Sequence, residues 1–221
     1  MQELWDYMIN NQTLIWTYTL EHMQLVGLSV VIAIAIGVPL GIYLTTNDYL
    51  AETVLQMANV IMTIPSIALF GIMIPILSLI DQGIGFVPAV IALILYSQLP
   101  IIRNTYVAIK NVDPHIKDAA KGMGMNTIQK LRKVEIPNAL PVIMAGVRQA
   151  VIMNIGIGAI AAFIGAGGLG VLINQGIART NSTIVMAGAI AISIMAIVVD
   201  MLLGLFQKKM TPKGLEEDLK S

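Results

Sequence analysis

Five long apolar intervals, almost free of Asp, Glu, Lys and Arg, constrain this chain more than any other feature. They lie within residues 23–47, 53–80, 82–102, about 140–164 and about 183–206. A helix rising 1.5 Å per residue needs about 20 apolar residues to cross roughly 30 Å of hydrocarbon. The intervals therefore predict an all-α membrane protein with about five transmembrane helices.

The second interval is long for one helix and contains two prolines, Pro65 and Pro75. Proline removes a backbone donor and tends to break or kink a helix. Splitting this interval into two short helices would give six crossings instead of five.

Composition agrees with a membrane protein. Hydrophobic residues make up 57% of the chain and charged residues 12%, with a formal net charge of zero and a mean hydropathy of +0.80. These values are too apolar for a soluble domain and give no basis for nucleic-acid binding. The chain has no cysteine, which excludes disulfides, thiolate metal sites and cysteine nucleophiles. No metal site is predicted.

Basic residues indicate the orientation, because Lys and Arg are retained in cytoplasmic loops. Eleven of the 13 basic residues fall in two segments that five spans place on one side: Arg103, Lys110, Lys117, Lys121, Lys130, Arg132 and Lys133, then Lys208, Lys209, Lys213 and Lys220. The chain is thus predicted to have an external segment 1–22, a transmembrane domain 23–206 and a cytoplasmic tail 207–221. Its N-terminus is predicted to lie outside and its C-terminus in the cytoplasm.

The polar segment 110–140 between the third and fourth spans is the most informative part of the chain. Asp113 is placed to cap a helix whose first residue is Pro114, where a missing N–H costs nothing. That helix should end at Gly122 or Gly124, since glycine readily takes the left-handed conformation that closes a helix. It is predicted to lie across the cytoplasmic membrane surface.

A second short helix should begin near Thr127, after Asn126, and stop near Pro137. In the first helix, the Asp118-Ala119-Ala120 triplet presents one carboxylate and two small side chains, which permit close approach by another protein. Taken alone, the segment fits an ordinary solvated basic loop equally well.

The order of these residues resembles the "EAA" loop of bacterial ABC importer permeases. The resemblance rests on Asp118-Ala119-Ala120, then Gly122 and Gly124, then Ile136-Pro137 and Pro141. The family pattern has a Glu-Ala-Ala triplet, a glycine about three residues later and a hydrophobic-Leu-Pro near the loop's end. Here Asp118 replaces the glutamate and keeps the charge on a shorter arm, and Ile136-Pro137 replaces Leu-Pro.

A glycine-rich stretch after the fourth span extends the resemblance to nearly the whole chain. Gly165, Gly167, Gly168 and Gly170 resemble the external segment of the type I importer subgroup that includes the methionine and osmoprotectant importers. The overall pattern looks most like the osmoprotectant permeases of Gram-positive bacteria, whose solutes are glycine betaine, carnitine or choline.

The resemblance implies a division of labour. No Gly-Lys dipeptide occurs in the chain, so it has no P-loop and is not expected to be an ATPase. ATP and Mg would be bound by two copies of a separate ABC ATPase. Its contacts would fall on Pro114, Asp118, Ala119, Ala120, Gly122, Gly124 and Pro137. The resemblance also implies a second permease chain, identical or paralogous, an external substrate-binding lipoprotein and surrounding lipid in a bacterial plasma membrane.

Two charged residues lie inside predicted spans, Arg148 and Asp200. Both come to about 12 Å from the cytoplasmic surface at 1.5 Å per residue, and ionisable groups at such depth usually face a cavity or a partner. We hypothesise an ion pair between the fourth and fifth spans that shifts during transport. The alternative is that Arg148 snorkels to the surface and Asp200 meets water.

Polar residues in the third and fourth spans suggest a weakly selective solute path, with high-affinity selection left to the binding protein. The candidates are Tyr96, Ser97, Gln98 and Asn154. On the predicted outer face, Asp6, Glu21, Asp81 and the 165–170 turn are candidate contacts for the binding protein, although a plain surface role fits each charge.

Three alternatives remain open from the sequence. The same scaffold would suit methionine or another amino acid. A secondary transporter is also a helical bundle, but it normally needs acidic residues near the midplane, and Asp200 is the single intramembrane acid here. A purely structural membrane protein would have no reason to carry the Asp-Ala-Ala-Gly loop.

Overall fold

The computed structural model describes residues 2–210, in which all regular secondary structure is helical. The helices are α1 (Gln2–Asn10), α2 (Gln12–Leu44), α3 (Asp48–Thr63), α4 (Ser66–Ser78), α5 (Phe86–Lys110), α6 (Pro114–Gly122), α7 (Thr127–Lys130), α8 (Ile136–Ala161), α9 (Gly170–Ala178) and α10 (Ser182–Met210). A π-helical segment, Leu131–Glu135, precedes α8 and a 3-10 turn, Ala162–Ile164, follows it. Met1 and residues 211–221, which include Lys213, Lys220 and most of the predicted tail, lie outside the described residues.

Four helices are long and apolar enough to cross a membrane: α2, α5, the continuous helix Thr127–Ile164 and α10. Taken together as one bent pair, α3 and α4 are also long and apolar enough to cross a membrane, which raises the number of spans to five. The prediction of about five spans is therefore confirmed. The helices extend beyond the apolar intervals, and α2 begins at Gln12, so the predicted boundary at residue 22 falls inside it.

The bend between α3 and α4 measures 100°. Ile64 is extended, with ψ of 126°, as expected for a residue before proline, and Pro65 caps α4. The Tyr96 hydroxyl of α5 donates a hydrogen bond to the Ile64 carbonyl oxygen at 2.5 Å. With 16 and 13 residues, both helices are shorter than the about 20 residues of a crossing. The pair therefore forms at most one span, and the six-span alternative is not supported.

Helix α5 lies at the centre of the bundle and packs closely against α2 and α8. Glycines permit the approach. A Cβ on Gly41 of α2 would lie 2.7 Å from the Cβ of Thr105, and one on Gly146 of α8 would lie 2.6 Å from the Pro100 carbonyl oxygen. Small residues at helix crossings are the usual way for membrane helices to gain van der Waals contact.

The helix predicted to end near Pro137 does not end there. Pro137 lies in the first turn of α8, and the chain continues as one helix from α7 through the π-helical segment. Proline has no backbone N–H to donate and normally breaks a regular α-helix. The π-helical turn just before Pro137 changes the hydrogen-bond register and so accommodates the proline within the helix. The predicted break at Pro137 is therefore wrong.

Helix α10 is the least enclosed of the long helices. Only 6% of its most apolar 18-residue window is buried. Its exposed side chains include Ile194, Ile197, Met201, Leu202 and Leu205. An apolar face of this size requires lipid or another protein to cover it.

Candidate functional site

The short helix α6 has the ends that the sequence predicted. The Asp113 carboxylate accepts a hydrogen bond from the His115 backbone N–H at 2.7 Å, and Pro114 is the first helical residue. Gly124 follows the helix with φ of 76°, in the left-handed region that glycine enters without strain. Local residues thus fix both ends of α6.

The exposed face of α6 differs from the predicted one in one respect. Asp118 and Ala119 are exposed, but Ala120 is only 1% exposed and packs against its own chain. The prediction that Ala120 faces a partner is therefore wrong. Space around Gly122 is open. Two large apolar side chains, Ile116 at 41% and Met123 at 69% exposed, complete a surface suited to another protein, which we call the α6 surface (Ile116, Asp118, Ala119, Gly122 and Met123).

Lys117 ties α6 to the central helix, a role that the sequence did not reveal. Its Nζ donates to the backbone carbonyl oxygens of Ile109 and Lys110 at 2.9 and 3.0 Å. Those carbonyls belong to the last turn of α5 and have no intrahelical donor. Because a lysine near a helix C-terminus also favours the helix dipole, the contact holds α6 in a set position relative to α5.

The same end of α5 is tied to α3. The Lys110 ammonium forms an ion pair with Asp48, and the Tyr106 hydroxyl donates to the same carboxylate at 2.9 Å. Asp48 is the first residue of α3. The contact between α6 and α5 therefore lies next to the contact between α5 and α3 at this end of the bundle.

Arg148 and Asp200, predicted at similar depth, lie together. The Nε and Nη2 atoms of Arg148 donate to the two carboxylate oxygens of Asp200 at 2.5 and 2.6 Å. The pair is bidentate and joins α8 to α10, with 37% of each side chain exposed. Gly204 leaves room for it, because a Cβ there would lie 3.3 Å from Nη1 of Arg148.

The ion pair borders a widely open groove of about 610 Å³ on the side of the chain, which we call the ion-pair cavity. It is lined by Ala145, Arg148, Gln149, Ile152, Met153, Asp200 and Gln207. Gln149 also lines a second cavity of about 540 Å³ with Arg103 and Asn104 of α5. Polar side chains therefore follow one another along this side of α5, α8 and α10. The sequence reasoning missed Gln149 and Asn104, although Gln149 adjoins Arg148 within an apolar run.

Three of the four predicted path residues are instead packed inside the chain. Tyr96 is 3% exposed, and Ser97 and Asn154 are fully buried. The Asn154 amide donates to the Ser97 hydroxyl at 2.8 Å, joining α8 to α5. Gln98 is partly buried, and its amide donates to the carbonyl oxygen of Ile94 in its own helix. In this conformation, the prediction that Tyr96, Ser97 and Asn154 face a solute path is wrong, because buried side chains cannot line an opening.

The glycine-rich segment forms the turn from α8 to α9 at the opposite end of α5. Gly165, Gly167 and Gly168 all have φ between 78° and 82°, which only glycine adopts without strain. Gly170 lies against the α8 backbone at Ala159, where a Cβ has no space.

Glu21 of α2 has a structural contact in this turn. Its carboxylate accepts a hydrogen bond from the Gly168 N–H at 2.9 Å. The neighbouring His22 is fully buried, and its Nε2 lies 3.1 Å from the Ile155 carbonyl oxygen. Glu21 therefore has an internal role, because its carboxylate holds the turn. This contact argues against the suggestion that Glu21 binds a partner.

Within residues 2–210, no group of three or more His, Cys, Asp or Glu side chains is placed to hold a metal ion.

A bundle of four or five membrane-spanning helices, with a capped surface helix and polar side chains beside its spans, is the architecture of a multi-pass membrane transport protein. Residues 37–212 match the family described as the binding-protein-dependent transport system inner membrane component. The chain belongs to this family.

Known relatives align with this chain over nearly its whole length. The chain is 52% identical to an osmoprotectant import permease protein of Salmonella typhimurium, over 95% of this chain and 97% of the relative. It is 39% identical to a glycine betaine/carnitine/choline transport system permease protein of Bacillus subtilis, over 98% and 97%. Among solved structures, an inward-facing methionine ABC transporter matches with a TM-score of 0.78 and 26% identity, over 87% and 94% of the two chains.

Proposed function

We propose that this chain is the permease subunit of an ATP-driven importer of a compatible solute, a quaternary ammonium compound such as glycine betaine, carnitine or choline. The names of the two relatives above support this solute class. ATP and Mg are bound by a separate ABC ATPase, because the chain has no Gly-Lys dipeptide and hence no P-loop.

The observation that carries the proposal is the α6 surface, a helix capped by Asp113 and tied to α5 by Lys117. Its exposed Ile116 and Met123 give an apolar contact, and Ala119 and Gly122 allow close approach. In the proposed mechanism, an ATPase subunit seats on this surface on the cytoplasmic side. Closure of two ATPases then moves two such helices, and the Lys117 contact passes the movement to α5.

Two permease chains, identical or paralogous, make up the proposed unit, since one chain offers one α6 surface for each ATPase. The bare apolar face of α10 supports an interface with a second chain or with lipid. A substrate-binding lipoprotein delivers solute at the outer end, where the turn 165–170 lies. The location is a bacterial plasma membrane; the Gram-positive origin stays a prediction, and one relative comes from Salmonella typhimurium.

Import of methionine or another amino acid is the second candidate, favoured by the likeness to the methionine transporter. A secondary transporter is the less favoured third.

Uptake by the whole complex in proteoliposomes distinguishes these candidates. The chain is reconstituted with its ATPase and binding protein, and labelled glycine betaine, choline and methionine are supplied in separate assays. We expect uptake of the quaternary ammonium compounds only with ATP on the ATPase side. Uptake of methionine alone would support the second candidate. Uptake driven by an ion gradient without ATP would contradict the proposal.

A further inference from the structure

The position of the Arg148–Asp200 pair does not suit a contact that only holds two helices together. An ion pair that only joins two membrane helices is best sealed between them, yet 37% of each side chain is exposed. Exposed charges within a span rarely face lipid and usually face a water-filled cavity or a partner. The pair borders the ion-pair cavity, which is an open groove on the side of the chain with room for a small solute.

The lining of that cavity combines both charges with polar and apolar groups. Gln149 is polar and lies next to Arg148, whereas Ala145, Ile152 and Met153 form an apolar wall. Carboxylates are bound well by the planar donor fork of arginine. Methyl groups around a cationic nitrogen suit an apolar wall beside a carboxylate. One cavity therefore offers a partner for each end of a small zwitterion.

We infer that the ion-pair cavity is a transient exchange site for a zwitterionic solute, whose carboxylate binds Arg148 while its cationic nitrogen binds Asp200. The inference rests on the proposed function and deepens it. A zwitterion replaces one internal ion pair by two and leaves neither charge bare in the membrane. A purely cationic solute satisfies only Asp200 and leaves Arg148 unpaired, so the site discriminates between the two classes of solute.

The exchange also explains how the site releases its solute. When the zwitterion leaves, Arg148 and Asp200 pair again, so the empty cavity has no uncompensated charge. Each state is thus electrically satisfied, which keeps the affinity low and suits passage rather than storage. Gly204 contributes because it has no Cβ, which would lie 3.3 Å from Nη1 of Arg148, and this leaves room for the guanidinium to move.

The first test compares two solutes in the complete transporter in proteoliposomes. Arg148→Gln should lower the ratio of glycine betaine uptake to choline uptake by about tenfold, the loss of one charge-assisted contact. Asp200→Asn should change that ratio far less, because both solutes carry the cationic nitrogen. Arg179→Gln, an exposed arginine outside the cavity, is the matched control. If Arg148→Gln lowers the uptake of both solutes equally, the inference is overturned and the ion pair has only a structural role.

The second test measures occupancy without transport. The natural chain has no cysteine, so Ala145→Cys gives one thiol in the cavity and Thr53→Cys one exposed thiol elsewhere. Glycine betaine or methionine, both zwitterions, should slow maleimide labelling at position 145 by about twofold when half of the sites are occupied, because the free fraction is then halved, and by more at higher concentrations. Choline should protect less, and Thr53→Cys should not be protected.

Adding Arg148→Gln and Asp200→Asn together to Ala145→Cys should abolish the protection while leaving no unpaired charge. Protection that survives this double change would overturn the inference. Failure of the wild-type complex to take up any quaternary ammonium compound would instead refute the proposed function. The inference would then be decided by whether methionine protects Ala145→Cys from labelling.

Discussion

Lys117 donates from its Nζ to the carbonyl oxygen of Ile109 at 2.9 Å, which joins the proposed ATPase-facing helix to the central helix of the bundle. The adjacent carbonyl of Lys110 accepts from the same Nζ. A force applied to α6 therefore reaches α5 through hydrogen bonds to main-chain atoms. Because α5 packs on α2, α3 and α8, this contact is a short route from the surface into the spans.

Replacing Lys117 by Met should weaken the link between hydrolysis and transport. The substitution removes hydrogen bonds to a charged group, a loss of about 1.5 kcal/mol at this half-buried position. We expect less solute moved per ATP hydrolysed, measured in proteoliposomes as the ratio of the two rates, while ATPase binding persists. Lys121→Met, on the exposed side of the same helix, is the control. Equal ratios in the two variants would show that Lys117 does not transmit movement.

A bulky residue at Gly122 should uncouple the transporter. The space around Gly122 is open within this chain, so Gly122→Leu leaves the fold intact and obstructs only a partner. ATP hydrolysis should continue while uptake falls about tenfold, as for a lost contact of about 1.4 kcal/mol. Gly27→Leu, on α2 with equally open surroundings, is the matched control and should transport normally. Normal coupling in Gly122→Leu would place the ATPase elsewhere.

Gly168→Ala should destabilise the turn between α8 and α9. An alanine there would hold φ near 78°, which costs about 1–2 kcal/mol, and its Cβ would lie 3.1 Å from Nδ1 of His22. The apparent melting temperature of the purified complex in detergent should fall. Gly71→Ala, in α4 with open space, should leave it unchanged. A melting temperature unaltered by Gly168→Ala would show that the turn relaxes freely.

Tyr96→Phe separates a structural role from a role in the solute path. The change leaves the Ile64 carbonyl oxygen at the α3–α4 bend without its donor, at a cost of about 1–3 kcal/mol. Thermal stability should therefore fall, whereas the relative uptake of glycine betaine and choline should not change. Altered preference between the two solutes at normal stability would restore Tyr96 as a path residue.

Exchanging the charges of Arg148 and Asp200 tests whether the ion pair joins α8 to α10. Arg148→Asp and Asp200→Arg singly each place two like charges together, which should reduce assembly and uptake strongly. The double variant restores opposite charges across the same gap and should recover part of the uptake. Recovered assembly is read from the yield of intact complex, and no recovery in the double variant would argue against a direct pair.

Features that a single segment determines could be predicted from the sequence. Apolar length gave the spans, Asp113-Pro114 gave the start of α6, and Gly124 gave its end. Counting residues from the membrane surface also placed Arg148 and Asp200 at matching depth, and the two side chains are in contact.

Features that depend on contacts between distant segments were missed. Whether Ala120 faces a partner or its own chain depends on how α6 packs, and the pairing of Lys117 with Ile109 depends on where α5 ends. Ser97 and Asn154 are polar residues in spans, which suggested a path, but they are buried and the Asn154 amide donates to the Ser97 hydroxyl across α5 and α8. Pro137 was predicted to break a helix, yet the π-helical turn before it accommodates the proline.

The sparse packing of α10 has a mechanical consequence. The acid of the ion pair lies on α10, the least enclosed of the long helices, whereas the arginine lies on α8, which packs closely against the central helix α5. A neighbouring subunit that packs on the exposed side of α10 would therefore touch the helix that carries Asp200, so that the lining of the ion-pair cavity depends on what is assembled around the chain.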